Sequence, residues 1–225
     1  MSQATTVPSH EPHAHAHPPG LQHHFTTMSQ QFEASKIGMW LFLVTEVLLF
    51  GGLFVGYGIM HSKHPEAFIA AHTHLDWRLG ALNTIVLLVS SWTMVMGVWA
   101  AQTGQRNKLI GYLTTSFLLA GVFMVVKYFE YAHKFHEGLL PGRFYAHQGD
   151  TVPGQFMFFS FYFMMTGLHG IHVLLGMAAI AWLIYRASRN HFSAQYYGPV
   201  DMVGLYWHLV DLIWIYLFPL MYLLS

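Results

Sequence analysis

The chain has 225 residues, of which 54% are hydrophobic, 16% aromatic and only 9% charged, with 10 Lys and Arg balancing 10 Asp and Glu. An ordinary soluble domain is about one quarter charged, so lipid or other protein must cover this surface, and no net charge draws the chain to nucleic acid. With no cysteine, disulfides, thiolate catalysis and cysteine-ligated zinc or iron–sulfur sites are excluded.

The first residues contain no charged start leading into an apolar core and cleavage site, so no secretory signal is expected and the N-terminus is expected to stay cytoplasmic. His10, His13, His15, His17, His23 and His24 stand there among Ala, Pro, Ser and Thr. Such a composition cannot bury a core and predicts a disordered tail over 1–35. The imidazole spacing suits a metal-scavenging arm, and the same residues suit a solvated low-complexity tail.

Five apolar segments follow, over 37–60, 79–101, 109–132, 155–185 and 200–224. Each is near the ~20 residues that cross about 30 Å of hydrocarbon as a helix. Open sheets cannot satisfy their backbone in lipid, so 36–225 is predicted to be an all-α, polytopic bundle of five transmembrane helices. With the N-terminus inside, the inner segments hold Lys36, Arg106, Lys108, Arg186 and Arg189 and the outer ones Lys63, Arg78, Lys134 and Arg143, a margin too thin for the positive-inside rule to decide. The two short inner loops hold no acid, whereas the outer ones mix in Glu66, Asp76, Glu137 and Asp150, so the N-terminus is expected inside and the C-terminus on the opposite face.

The first span carries Glu46 near its middle. A carboxyl in hydrocarbon is costly unless a donor or cation faces it, so Glu46 reads either as a functional acid or as a buried structural one bonded to a neighbouring helix. Gly52 and Gly56 form a GxxxG pair that marks a close helix contact. In the second span Asn83, Thr84, Ser90, Ser91 and Thr93 are suited to interhelical hydrogen bonds. The third ends in Lys127, Tyr128, Phe129, Glu130 and Tyr131, where Lys127 and Glu130 lie one turn apart and are expected to neutralise each other near the interface.

The fourth span reads Thr166, Gly167, Leu168, His169, Gly170, Ile171, His172. Gly167 and Gly170 let another backbone approach, and a large residue at Gly170 is expected to hold helices apart. His169 and His172, at i and i+3, share a face as a metal-ligating pair would. His208, Asp211 and Glu46 are the candidate further ligands. Alternatively, His208 and Asp211, one turn apart on the fifth span, satisfy each other.

Taken together these stretches resemble the cytochrome c oxidase subunit III family of the haem–copper oxidases, in its short five-helix bacterial form. The residues that carry the resemblance are Met39-Trp40-Leu41-Phe42-Leu43-Val44-Thr45-Glu46, Asn83-Thr84 with Ser90-Ser91-Trp92-Thr93, and Glu130-Tyr131. Thr166 to His172 and Tyr206-Trp207-His208-Leu209-Val210-Asp211 complete the set. The resemblance implies a non-catalytic membrane subunit that binds no haem or copper or other metal itself and has no redox centre of its own. Haem a and copper are expected in partner subunits, with cytochrome c as electron donor to the complex. Subunit I is the implied main contact, with subunit II and a small subunit IV also in the assembly, in a bacterial inner membrane. Glu46 looks like the family's buried acid near the subunit I contact, supporting proton uptake. His169, His172, His208 and Asp211 look like its interhelical polar cluster, rather than ligands.

Longer members carry two helices ahead of the acid-bearing span, closing a cleft that holds phospholipid. Here the His-rich tail stands in their place, so retention of bound phospholipid is an open expectation. Relatives that accompany nitric oxide reductases or quinol oxidases are not visibly separated by sequence. A free-standing transporter using Glu46, His208 and Asp211 would call for inverted-repeat symmetry, which five spans without visible repeats do not offer. A di-metal membrane enzyme would need further histidine boxes in the loops.

Overall fold

The computed structural model describes residues 22, 23, 25–141, 145 and 153–223. His10, His13, His15, His17 and His24 lie outside the described residues, as does Leu224. The elements are α1 (Met28–Lys63), α2 (Pro65–His72), α3 (Trp77–Gln102), α4 (Arg106–His136), α5 (Gln155–Ser188) and α6 (Gly198–Tyr222). Among the described residues, five helices are long and apolar enough to cross a membrane, in an all-α architecture.

Helix α1 begins at Met28 rather than near Ile37, so the last eight residues of the stretch read as a tail, 28–35, are helical. Two local causes account for this. Thr27 Oγ1 accepts from the Gln30 N–H at 3.2 Å, capping the first turn, while Gln30 Oε1 accepts from the Thr26 N–H at 3.0 Å. The extra turns also dock on the start of α6: Phe32 packs on Tyr197 at 5.5 Å, and Lys36 Nζ lies 3.8 Å from Asp201. Helix α2 was not expected, being only eight residues long. Pro65 supplies its first helical φ, and Phe68 anchors it edge-on to Tyr57 and Phe158.

The inter-helix turns use residues that tolerate left-handed backbone. Gly104, Gly138 and Gly154 have φ of 69°, 72° and 99°, and Asn190 has φ of 59°. Asp76 caps α3 by accepting from the Arg78 N–H at 2.9 Å. Arg106 at the start of α4 donates to the carbonyls of Ala187 and Ser188 at the end of α5, at 3.1 and 2.6 Å. These bonds satisfy carbonyls that a helix C-terminus leaves free.

Helices α3, α4, α5 and α6 close into a ring, each packed on its two neighbours, and α1 lies outside it on α6 and α5. The interior is aromatic, with Phe123, Phe158, Phe159, Tyr162, Trp207 and Trp214 fully buried. The exterior is apolar as well: Trp40, Leu41, Leu48, Trp92, Leu118 and Leu175 are exposed, as a lipid-facing surface requires. Helix α1 is the least enclosed, with 11% of its apolar window buried. It is held near its C-terminal end by the Tyr57 hydroxyl, which donates to the Leu220 carbonyl at 2.9 Å.

Small residues set the closest approaches, though not at the glycines the motif picks out. A Cβ on Gly176 would stand 2.6 Å from the Trp207 ring, and one on Gly80 would stand 2.8 Å from Phe218. Gly56 meets Phe161 at 3.5 Å and Gly167 meets the Tyr131 hydroxyl at 3.7 Å. Gly52 and Gly170, by contrast, meet nothing within 4 Å, so neither is a helix contact within this chain. Gly170 instead lines an open lateral groove between α4 and α5.

Candidate functional site

Glu46 projects from α1 to α5, where its Oε2 lies 2.8 Å from His172 Nε2. The other ring nitrogen of His172, Nδ1, lies 2.8 Å from the Leu168 carbonyl one turn back. A carbonyl only accepts, so Nδ1 carries a hydrogen. The Nε2···Oε2 contact then holds one proton in one of two places: on a neutral carboxyl that donates to Nε2, or on an imidazolium that donates to a carboxylate. Both side chains are largely enclosed, at 11% and 13% exposure. Phe50 stands edge-on to the imidazole at 5.3 Å, and the Tyr206 hydroxyl donates to the His172 carbonyl at 3.0 Å. The chemistry available is a proton exchanged between an acid and a base across a helix interface, in an apolar shell.

The other three polar residues of the expected cluster do not join this pair. His169 is fully buried between Phe123 and Trp214, with ring centroids at 5.5 and 5.2 Å, and neither of its nitrogens has a hydrogen-bond partner. His208 does not pair with Asp211: its Nδ1 lies 2.6 Å from Ser91 Oγ on α3. Asp211 is buried with neither carboxyl oxygen hydrogen-bonded. The four residues therefore sort to separate neighbours instead of forming one cluster. The reason is geometric: side chains at i and i+3 point about 60° apart around a helix, enough for His172 to reach α1 while His169 enters the ring. Among the described residues, no three His, Asp or Glu side chains converge as metal ligands.

A second polar assembly lies toward the end of the bundle where α4 and α6 finish and is larger than the sequence suggests. Lys127 Nζ donates to Glu130 Oε2 at 3.0 Å and to the Tyr222 hydroxyl at 2.6 Å. Glu130 Oε1 accepts from the Tyr162 hydroxyl at 2.7 Å and also from the Tyr222 hydroxyl. The ammonium sits over the Trp214 ring at 4.7 Å and close to the Tyr162 and Tyr222 rings, a cation–π cage. Lys127 and Glu130 are one turn apart as the sequence suggests, and they are buried among α4, α5 and α6. One turn further on, Lys134 Nζ donates to the His74 carbonyl and to Glu137 Oε2.

The small polar residues of α3 bind its neighbours. Ser90 accepts from Trp207 Nε1 at 3.1 Å, Thr84 accepts from Trp214 Nε1 at 3.0 Å, and Thr93 meets Ser116 at 2.7 Å. Asn83 is buried without a hydrogen-bond partner.

Against known proteins, the family described as Cytochrome c oxidase subunit III matches residues 20–225. The chain is similar to cytochrome c oxidase subunit 3 of Thermostichus vulcanus, 29% identical over 95% of this chain and 92% of that one. It is also similar to the probable cytochrome c oxidase subunit 3 of Nocardia farcinica, 30% identical over 83% of this chain and 86% of the relative. Cytochrome bo(3) ubiquinol oxidase subunit 3 of Pseudomonas putida is 28% identical over 86% of this chain and 87% of its own length.

Proposed function

The chain belongs to the cytochrome c oxidase subunit III family, and from that premise we propose that it is the non-catalytic third subunit of an aa3-type oxidase that takes electrons from cytochrome c. It packs on subunit I, with subunit II and a small subunit IV in the same assembly, in a bacterial inner membrane. Its N-terminus is cytoplasmic and its C-terminus lies on the opposite face. Haem a and copper belong to the partner subunits, where they carry the electrons and the oxygen chemistry. This chain contributes the Glu46–His172 pair, which supports proton uptake by buffering a proton near the subunit I contact.

The observation that carries this reading is the family match across all five spans, with relatives at 29% and 30% identity named as cytochrome c oxidase subunits. A quinol oxidase is the second reading, supported by the relative of that kind at 28% identity.

The test is purification of the intact complex through this chain in mild detergent, followed by optical spectra, metal content and oxygen uptake. Haem a and copper, with uptake driven by reduced cytochrome c, are the expected result. Haem b with quinol-driven uptake would replace the donor. Haem b with non-haem iron would make the partner a nitric oxide reductase. Recovery of the chain without haem or other subunits would overturn the accessory role in favour of a free-standing transporter.

A further inference from the structure

Helix α6 is packed by α5, α3 and α1, and one stripe of it stays open between the last two. Along that stripe Leu205, His208 and Leu209 are half-buried, while Leu212 and Tyr216 are exposed. His208 is the anomaly. It lies about 15 Å along α6 from its inner end, close to the centre of a hydrocarbon layer about 30 Å thick. Its Nδ1 is engaged by Ser91 Oγ at 2.6 Å, and no hydrogen bond from this chain reaches its Nε2.

Most Ser and Thr hydroxyls in these helices donate back to a carbonyl one turn earlier, as Ser62, Thr84, Thr115 and Ser160 do. The Ser91 hydroxyl instead faces His208 Nδ1 and Asp211. In a neutral imidazole one nitrogen donates and the other accepts, so in either tautomer Nε2 is a polar atom that no described residue bonds, at mid-span on an open helix face. Unsatisfied polar groups at this depth are expensive, and acyl chains offer no hydrogen-bonding group there, since lipid phosphates and esters lie at the interface.

We infer that the open stripe of α6 is the docking face for a membrane-spanning helix of a partner subunit, which presents a hydrogen-bonding side chain to His208 Nε2. That side chain carries a hydroxyl, amide or carboxyl group, each able to bond either tautomer. Leu205, Leu209 and Leu212 supply the apolar ridges on which it packs. This rests on the accessory-subunit reading above and specifies which face meets the complex.

The experiment uses the intact complex, purified in mild detergent through this chain. A photo-crosslinking residue at Leu212 is compared with one at Ile171, which is exposed on α5. In parallel, dissociation of the chain is followed for His208→Leu and His208→Gln. Leu212 is expected to crosslink to another subunit and Ile171 to none. His208→Leu is expected to raise the dissociated fraction about fivefold, the scale of one interhelical hydrogen bond. His208→Gln, whose amide keeps a hydrogen-bonding group near Nε2, holds at the wild-type value. Adducts from Ile171 but not Leu212, or equal retention of His208→Leu and wild type, would overturn the docking face while leaving subunit membership standing. If His208→Leu fails to accumulate, the crosslinks made with His208 intact decide the matter. A wild-type chain that purifies without other subunits would overturn the accessory role and the docking face together.

Discussion

The Lys127–Glu130 end of the bundle and its middle handle buried polarity in opposite ways. Around Lys127 and Glu130, hydroxyls from α5 and α6, an aromatic cage and the ion pair form a closed network. In the middle, Glu46 and His172 satisfy each other, His169 has neither nitrogen bonded, and His208 has one nitrogen engaged. A closed network ties together the helices that compose it, and can serve folding alone. His169 is shut inside the ring, whereas half-buried His208 stands where something outside the chain can complete its bonding. Polarity within a membrane span thus has two uses, and access from outside separates them.

That contrast can be broken most forcefully at the Lys127–Glu130 end. Glu130→Ala leaves the Lys127 ammonium buried beside two phenols, and removing one partner of a buried pair costs about 3–5 kcal/mol. The variant should melt far below wild type in detergent, or fail to accumulate. Lys127→Met combined with Glu130→Leu should recover most of the loss, since no charge is then left unpaired. A wild-type melting curve for Glu130→Ala would mean the network does not hold the helices together.

Packing gives the next largest effect. Gly176→Leu forces a side chain into the Trp207 ring and should cost about 1–3 kcal/mol or more through overpacking. Gly170→Leu points into open space and should fall within about 0.5 kcal/mol of wild type. Thermal unfolding of the two side by side reads this directly, and equal losses would show that close approach is not confined to Gly176.

Smaller again is Tyr57→Phe, which removes the bond to the Leu220 carbonyl at about 1 kcal/mol. Because α1 lies outside the ring, faster amide exchange should be confined to its C-terminal half. Acceleration across α3 to α6 as well would show that α1 is integral to the ring.

The least effect on stability is expected at the midplane. Glu46→Gln retains a group able to donate to His172 Nε2, so assembly should be unchanged and melting should shift by less than about 1 kcal/mol. Oxygen turnover of the complex should nevertheless drop several-fold, because an amide donates a hydrogen bond but does not release its proton. Unchanged turnover would make the pair architectural.

The sequence made the five spans legible because a bilayer imposes a length and a polarity that few other structures share. It hid the early start of α1, whose first turns are polar and gain their order from Thr27 and from contacts with the loop before α6. The unusual residues of the midplane were visible by type, since an acid and imidazoles in hydrocarbon stand out. Their partners were not, because spacing along one helix does not say which neighbouring helix each side chain meets: His172 found Glu46, whereas His208 found Ser91. Tyr162 and Tyr222 were missed for the complementary reason. A tyrosine in an apolar span reads as packing, and no local signal shows that its hydroxyl meets a carboxylate from another helix. The GxxxG motif likewise marked Gly52, while the tightest contact belongs to Gly176, which faces a tryptophan that only the fold brings near.

The Glu46–His172 contact has an electrical consequence. The Leu168 carbonyl pins a hydrogen on Nδ1, so the pair is neutral whichever partner holds the shared proton, and a transfer between them reverses a local dipole without changing net charge. The hop runs from one helix to its neighbour, along the plane of the bilayer rather than across it. Carrying a full charge through the membrane involves about 2.3 kcal/mol per 100 mV, but this step crosses almost none of that field. The shared proton can change partner at a rate that the membrane voltage leaves almost untouched, in a respiring cell as in a de-energised one.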